Sequence, residues 1–361
     1  FEHDDEKHVM VMADNLDVHV PIENPNIVFN EASGMVPEQE SIYEYSFIQQ
    51  IRPSVVSLRD FNFEQPSLGG MDVMALAGEE TPDYESDLEV YDYPGDYYEQ
   101  DIGSRIARIK LDVLRHNRQI GSGRSVCRRF LPGYKFTMER HPRSDFNQEY
   151  LITRVTSSAT QPLGEDFGEG LSYNNEFECI PAYVPFRPPR KAIKPIVEGV
   201  QTAIVVGPSG EEIYTDEHGR VKVQFHWDRE GSNDEHSSCW IRVSQGWAGL
   251  GWGAMFIPRI GQEVIVDFLE GDPDKPIITG RVYNGENVTP YELPNEKTKS
   301  TIKSESSKGG NGYNEIRFED NKGKEEIFIH AQKDMNQVIR NNMSTSVGND
   351  QSTSVGNDQS I

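Results

Sequence analysis

The sequence S-T-S-V-G-N-D-Q at residues 344–351 recurs without change at residues 352–359. A short fixed repeat specifies a solenoid, in which each unit stacks on the next and adds a small share of core. Each octad offers one large apolar residue, Val347 or Val355, followed by a glycine, Gly348 or Gly356, that lets the chain bend. Two such units cannot enclose a core alone. Three chains wound together can, because each supplies an extended segment per side and the valines meet on a common axis. Val347, Gly348, Val355 and Gly356 are therefore assigned to the axis of a three-chain shaft. A calcium-binding solenoid is the weaker match, since those repeats run to about nine residues with paired glycines before Asp.

Upstream, the chain reads as all β from residue 202 to residue 282. Residues 202–206 form a strand, G-P-S-G at 207–210 a turn, and 211–215 a returning strand. R-V-K-V-Q-F-H-W-D at 220–228 alternates. Val221, Val223, Phe225 and Trp227 share one face, and Lys222, Gln224, His226 and Asp228 the other. Residues 239–244, 263–269 and 276–282 supply further strands, and 246–253 is a loop rich in Gly and Trp. Several short strands in roughly ninety residues predict a small closed barrel of OB type.

Before the barrel, Pro181, Pro185, Pro188, Pro189 and Pro195 crowd one stretch, read as a domain linker. One helix stands out, with Asp101 as its cap, Ile102, Ile106, Ile109 and Val113 as its apolar stripe, and G-S-G at 121–123 as its stop. Residues 149–157 alternate loosely as a strand.

The formal net charge of −24 argues against a general nucleic-acid binder, which needs cations to replace phosphate counterions. The charge is uneven. Residues 78–101 hold ten Asp or Glu and no Lys or Arg, whereas 103–143 hold eleven Lys or Arg against Asp112 and Glu139. These are either opposed surfaces that meet another chain or two solvated faces, and a solvated loop is the preferred reading of the acidic run. Cys127, Cys179 and Cys239 lie far apart and suit reduced thiols rather than a disulfide framework or a metal site. No apolar run reaches the length of a membrane helix. The acidic opening F-E-H-D-D-E is unlike a secretory leader, and a chain without an initiator Met is expected to be a fragment of a longer protein.

Catalytic signals are missing. There is no G-x-S-x-G elbow, H-E-x-x-H or P-loop, so no catalytic or cofactor-binding residue is assigned. His218, His226 and Asp228 are possible metal ligands, but no further ligands stand at zinc-like spacing, and a solvated outer face is preferred. Trp240, Trp247 and Trp252 are better suited to core or interface packing than to stacking on bases.

Several of these stretches carry a family resemblance. E-V-Y-D-Y-P-G at 89–95, D-E-H-G-R-V-K-V-Q-F-H-W-D at 216–228, S-S-C-W-I-R-V-S-Q at 237–245 and I-P-R-I-G-Q-E-V-I-V-D-F at 257–268 resemble VgrG, the valine-glycine repeat spike protein of type VI secretion. So do G-D-P-D-K-P-I-I-T-G-R-V-Y at 271–283, G-Y-N-E-I-R-F-E-D at 312–320 and I-F-I-H-A-Q-K-D-M at 327–335. The resemblance implies a homotrimer similar to a phage-tail hub and spike. Its fold class would be mainly β, with β-barrel base domains and a short helix, an OB-fold neck and a C-terminal intertwined trimeric β-helix.

On that pattern residues 1–40 are a remnant of the first base barrel, and 1–15 resemble a hairpin late in it. Residues 41–188 are the second barrel with a helix near 101–119, 189–292 the neck, and 293–361 the start of the shaft. The implied partners are an Hcp tube at the base, a PAAR-type tip and effectors, with transient piercing of a target membrane. The implied location is cytoplasmic in the assembled apparatus and then secreted. Without the family's N-terminal portion, the Hcp-facing surface stays open. The implied role is structural and not enzymatic. The competing readings are a trimeric β-helix glycan hydrolase and an OB-fold module binding nucleic acid or carbohydrate.

The charge argument gives a direct expectation. Titrated with labelled single-stranded DNA at physiological salt, the chain should show no tight association. Nanomolar affinity with a steep salt slope would contradict it.

Overall fold

K-F-T-M-E at residues 135–139 alternates in polarity, and it directs Phe136 and Met138 into the interior of a closed six-stranded barrel. The molecule is described from a computed structural model that covers residues 2–3, 5–30, 39–66, 72–78, 81–161 and 172–358. The chain divides into two units, Phe1–Lys191 and Ala192–Ile361.

In the first unit the barrel strands run in the order Glu149–Thr160, Ser172–Pro181, Gln119–Ser125, Ser41–Gln49, Pro21–Phe29 and Lys135–Glu139, and the last pairs with the first. Pro21–Phe29 is thus a stave of the same barrel as Ser41–Gln49, so the boundary expected at residue 40 falls inside it. Ahead of it, Glu2–His3 and His8–Val9 pair antiparallel. The interior is aromatic and aliphatic, with Tyr150, Ile152, Phe177, Ile27 and Ile42 buried around Phe136.

Gly121 and Gly123 belong to this wall and do not end the helix. A Cβ on Gly123 would lie 2.7 Å from the Phe177 ring and 2.6 Å from the Glu44 carbonyl oxygen, and one on Gly121 would overlap the Tyr45 hydroxyl. The glycines therefore make room for aromatic rings across the strand. Ser125 Oγ donates to Asn175 Oδ1 at 2.9 Å, and Asn175 Nδ2 donates to the Cys127 carbonyl at 2.7 Å, which satisfies the buried polar groups. Cys127 and Cys179 are buried, whereas Cys239 is exposed.

The helix spans Gln100–Arg115 and lies against a sheet of Asp72–Leu76, Val55–Arg59 and Glu89–Asp92. Its cap is Glu99, and Asp101 sits in the first turn, where a carboxylate complements the helix dipole. The buried stripe is Gly103, Ala107 and Leu111, while Ile102 and Ile109 of the expected stripe are exposed. Closeness of approach explains the difference. Tyr97 packs so tightly that any Cβ on Gly103 would meet its ring, which puts the small residues inward and turns two of the isoleucines to the flank.

The two charge runs meet within the same chain. Glu85, 1% exposed, receives Arg115 at 3.1 Å and Arg118 at 3.0 Å, and Asp92 pairs with Lys110 at 2.9 Å. Burial pushes the Glu85 carboxyl up, but the bonds and charges of Arg118, Arg52 and Arg115 outweigh it and hold it below the usual range.

In the second unit, Lys222–Phe225, Gln201–Val206, Glu263–Phe268, Pro276–Val282 and Arg242–Val243 form one sheet in that order. Val221 and Ile241 exchange backbone hydrogen bonds of 3.0 and 2.9 Å, which tie the two edge strands together and curl the sheet into a small barrel. Its core is almost wholly β-branched: Val205, Val221, Val223, Ile241, Val264, Val266 and Ile278. The expected strand at 211–215 does not form; there Glu212 pairs with Arg259 and Tyr214 packs against Trp240 in a tilted contact. Trp227 leaves the apolar face too. The strand ends at Phe225, and the indole lies exposed on that ring while donating to Gln201 at 2.8 Å. Lys194 clasps Asp272 at 2.7 Å, so the end of the proline-rich segment belongs to this unit.

Gly123→Val tests the barrel interior. Valine favours strands, but here it overpacks, which costs about 1–3 kcal/mol. The thermal midpoint should fall by several degrees, and an unchanged midpoint would show that the rings at Tyr45 and Phe177 leave spare room.

Candidate self-association surface

Three strands follow the small barrel: Lys299–Lys303, Glu315–Glu319 and Glu326–His330. Their sequences K-S-T-I-K, E-I-R-F-E and E-I-F-I-H alternate, so each has an apolar and a polar side. The register brings Ile302 opposite Ile316, Ile316 opposite Ile329, and Phe318 opposite Ile327. These five side chains share one face, and all five are exposed.

The polar face is the covered one. Glu315, 3% exposed, accepts from the Tyr291 hydroxyl and from Thr301 Oγ1 at 2.9 Å. Arg317 donates to Tyr291 at 3.0 Å and to Glu326 at 2.6 Å, with its guanidinium 4.4 Å over the Phe328 ring. Burial pushes the Glu315 carboxyl up, but the hydrogen bonds of Tyr291 and Thr301 and the charges of Lys303 and Arg317 bring it below its ordinary value. Antiparallel sheets with one wet face normally bury the apolar side. This one is inverted, and its five bare side chains are each worth about 1.5–3 kcal/mol when fully buried.

Beyond His330 the described residues contain no helix or strand. Val347 and Val355 are 47% and 46% exposed, and a Cβ on Gly348 or Gly356 would meet nothing within 4 Å. The four residues assigned to an axis thus lie open on the single chain.

The other candidates do not converge. His226 is bonded to Thr202 at 3.0 Å. Asp228, beyond the strand end, accepts from the backbone of Glu230 and Gly231 at 3.0 Å each. His218 lies 3.8 Å from Glu217. Trp240 packs on Tyr214 at 4.9 Å, with Lys222 over its ring. Trp247 and Trp252 are exposed on a short hairpin, Trp247–Ala248 with Gly253–Ala254, inside the stretch expected to be a loop. The inverted sheet was missed in the sequence, although its alternation is plain there. Alternation separates two faces without saying which is covered.

Three family models match the chain. Residues 1–163 match the phage tail baseplate hub, 204–283 the type VI secretion system/phage-baseplate injector OB domain, and 300–361 the bacteriophage T4 gp5 C-terminal trimerisation domain. The chain is 42% identical over 358 residues to the type VI secretion system spike protein VgrG1a of Pseudomonas aeruginosa, covering 96% of this chain and 54% of that protein. It spans about half the length of the curated relatives it matches. A solved E. coli type VI secretion component, described as similar to T4 tail proteins gp27 and gp5, is 18% identical. It covers 71% of this chain and 49% of that one, with a TM-score of 0.40. A Francisella PdpA-VgrG complex is 9% identical and covers 80% and 52%, with a TM-score of 0.40.

Ile316 sits at the centre of the bare face and tests it. Ile316→Asp should leave the far-ultraviolet circular dichroism unchanged and shift the light-scattering mass toward a single chain. A mass equal to the parent's would show that this face is not a contact.

Proposed function

The chain belongs to the VgrG family of type VI secretion system spike proteins, and from that premise we propose that it forms the base-to-shaft part of a homotrimeric spike in a contractile, phage-tail-like apparatus. The observation that carries this reading is the inverted sheet, followed after residues 331–343 by the octads, almost all of it within the segment that matches a trimerisation domain. An apolar face that one chain leaves bare becomes an interior when three chains surround it. Burial then offsets the entropy of association.

In this reading the role is mechanical and not enzymatic. The six-stranded barrel is closed and has no free edge, which suits a base that must not slip or pair with strangers. The small barrel is the neck, and the extended segment winds with its two copies into a shaft. An Hcp tube would meet the base, a PAAR-type protein would cap the tip, and effectors would ride on the assembly as it transiently pierces a target membrane. The trimer would be cytoplasmic when assembled and secreted after firing. The acidic surface keeps it off nucleic acid.

Val347→Asp is the decisive substitution. It removes an axial valine from each of three chains and brings three carboxylates together, where they repel or protonate. Ser346→Asp, one residue away, should face outward and do far less. Hydrogen exchange across residues 312–358 should show a frayed tip in Val347→Asp alone. Equal protection in both variants and the parent would rule out a shared axis at this residue.

A further inference from the structure

G-W-A-G-L-G-W-G at 246–253 is folded, not loose. Trp247 pairs with Ala254, Gly249 N donates to the Trp252 carbonyl at 2.8 Å, and the two indoles meet edge to face at 5.3 Å. Gly253 has φ 139°, and a Cβ there would run into the Trp247 carbonyl, so the turn requires glycine. The hairpin's apolar side chains are left largely uncovered by its own unit. Leu250 at the tip is 98% exposed, and Trp247 and Trp252 are exposed beside it. Bare apolar surface held at low entropy in a fixed shape marks a protein contact.

The same unit carries an open groove of about 940 Å³ whose apolar lining includes Met255, Phe256, Tyr283, Val288 and Pro290, with Tyr313 from the segment that matches the trimerisation domain, and whose polar lining includes Arg259, Arg281 and Lys303. None of residues 246–253 lines it. Each copy therefore offers a protrusion and a hollow, and the hollow adjoins the segment through which copies associate.

We propose that the Trp247–Trp252 hairpin of one copy seats in this groove on the next copy around the threefold axis. The inference rests on the trimeric reading above. A contact between two different patches of identical chains is heterologous, and a threefold rotation closes it into a ring with every hairpin and every groove occupied. The neck then contributes its own contact, separate from the apolar sheet.

Cross-linking tests the contact. In a Cys239→Ser background, which removes the exposed thiol and leaves Cys127 and Cys179 buried, Leu250→Cys and Val288→Cys are introduced separately and together. The full chain is first weighed by light scattering, then treated with a short bis-maleimide and run on a denaturing gel. The double variant should give a ladder ending at three chains, and each single variant should stay at one. A trimer by light scattering whose double variant runs only as a single chain would overturn the contact and leave the spike reading intact. Linkage in the Leu250→Cys variant alone would overturn it too, since the tips would then meet one another. A single-chain mass in solution would overturn both readings.

Discussion

Apolar surface that a chain cannot cover by itself has to be covered by something else, and here that surface lies on a rigid sheet. Ile302, Ile316, Phe318, Ile327 and Ile329 are fixed in register by two antiparallel ladders and cannot turn inward. The opposite face is committed to Glu315, Arg317 and Tyr291, which bond to one another and to Glu326, with only Arg317 Nε left without a partner among them. Flipping the sheet would break the bonds of Glu315 and Arg317 to Tyr291, at a cost that offsets part of the gain. The polar network therefore helps to keep the apolar face outward. The described residues after His330, with no ladder of their own, would find backbone partners in neighbouring chains under the proposed trimer.

The first unit obeys a different constraint. Its barrel closes on itself and its interior is filled by rings, so its need is for space. Gly121, Gly123 and Gly103 each stand where a neighbouring aromatic side chain leaves no room for a methyl group. The buried carboxylate Glu85, held between Arg115 and Arg118, ties the acidic run to the end of the helix. Charge segregation that looks extreme along the chain is thereby partly neutralised within it.

Much of the architecture was readable from the residues. The alternation at 220–227 and the strands read at 263–269 and 276–282 announce the small barrel, though the first of them stops at Phe225. The misreadings share one cause. Ile102 and Ile109 are more hydrophobic than Gly103 and Ala107, yet the helix buries the smaller pair because contact distance outranks hydrophobicity there. Gly121 and Gly123 look like a break until the rings of Tyr45 and Phe177 are placed beside them. Trp227 continues an alternation that the backbone has already left. In each case the deciding partner lies far away in sequence, where local pattern carries no information. For Val347, Gly348, Val355 and Gly356 the proposed partners belong to other chains, which no pattern within one chain displays.

An identical repeat has no memory of its own phase. If one chain of the proposed trimer slid past its neighbours by eight residues, Val347 would meet Val355 and only one octad of that chain would lose its match, so the octads alone hold the alignment weakly. The alignment must therefore be decided upstream, by segments that never repeat, such as Glu315–Glu319 and Glu326–His330. In the proposed trimer, winding would then have a direction, from the small barrel outward, with the sheet setting the first stitch and the octads copying it. A sequence that kept the octads but lost that sheet would be free to wind out of step.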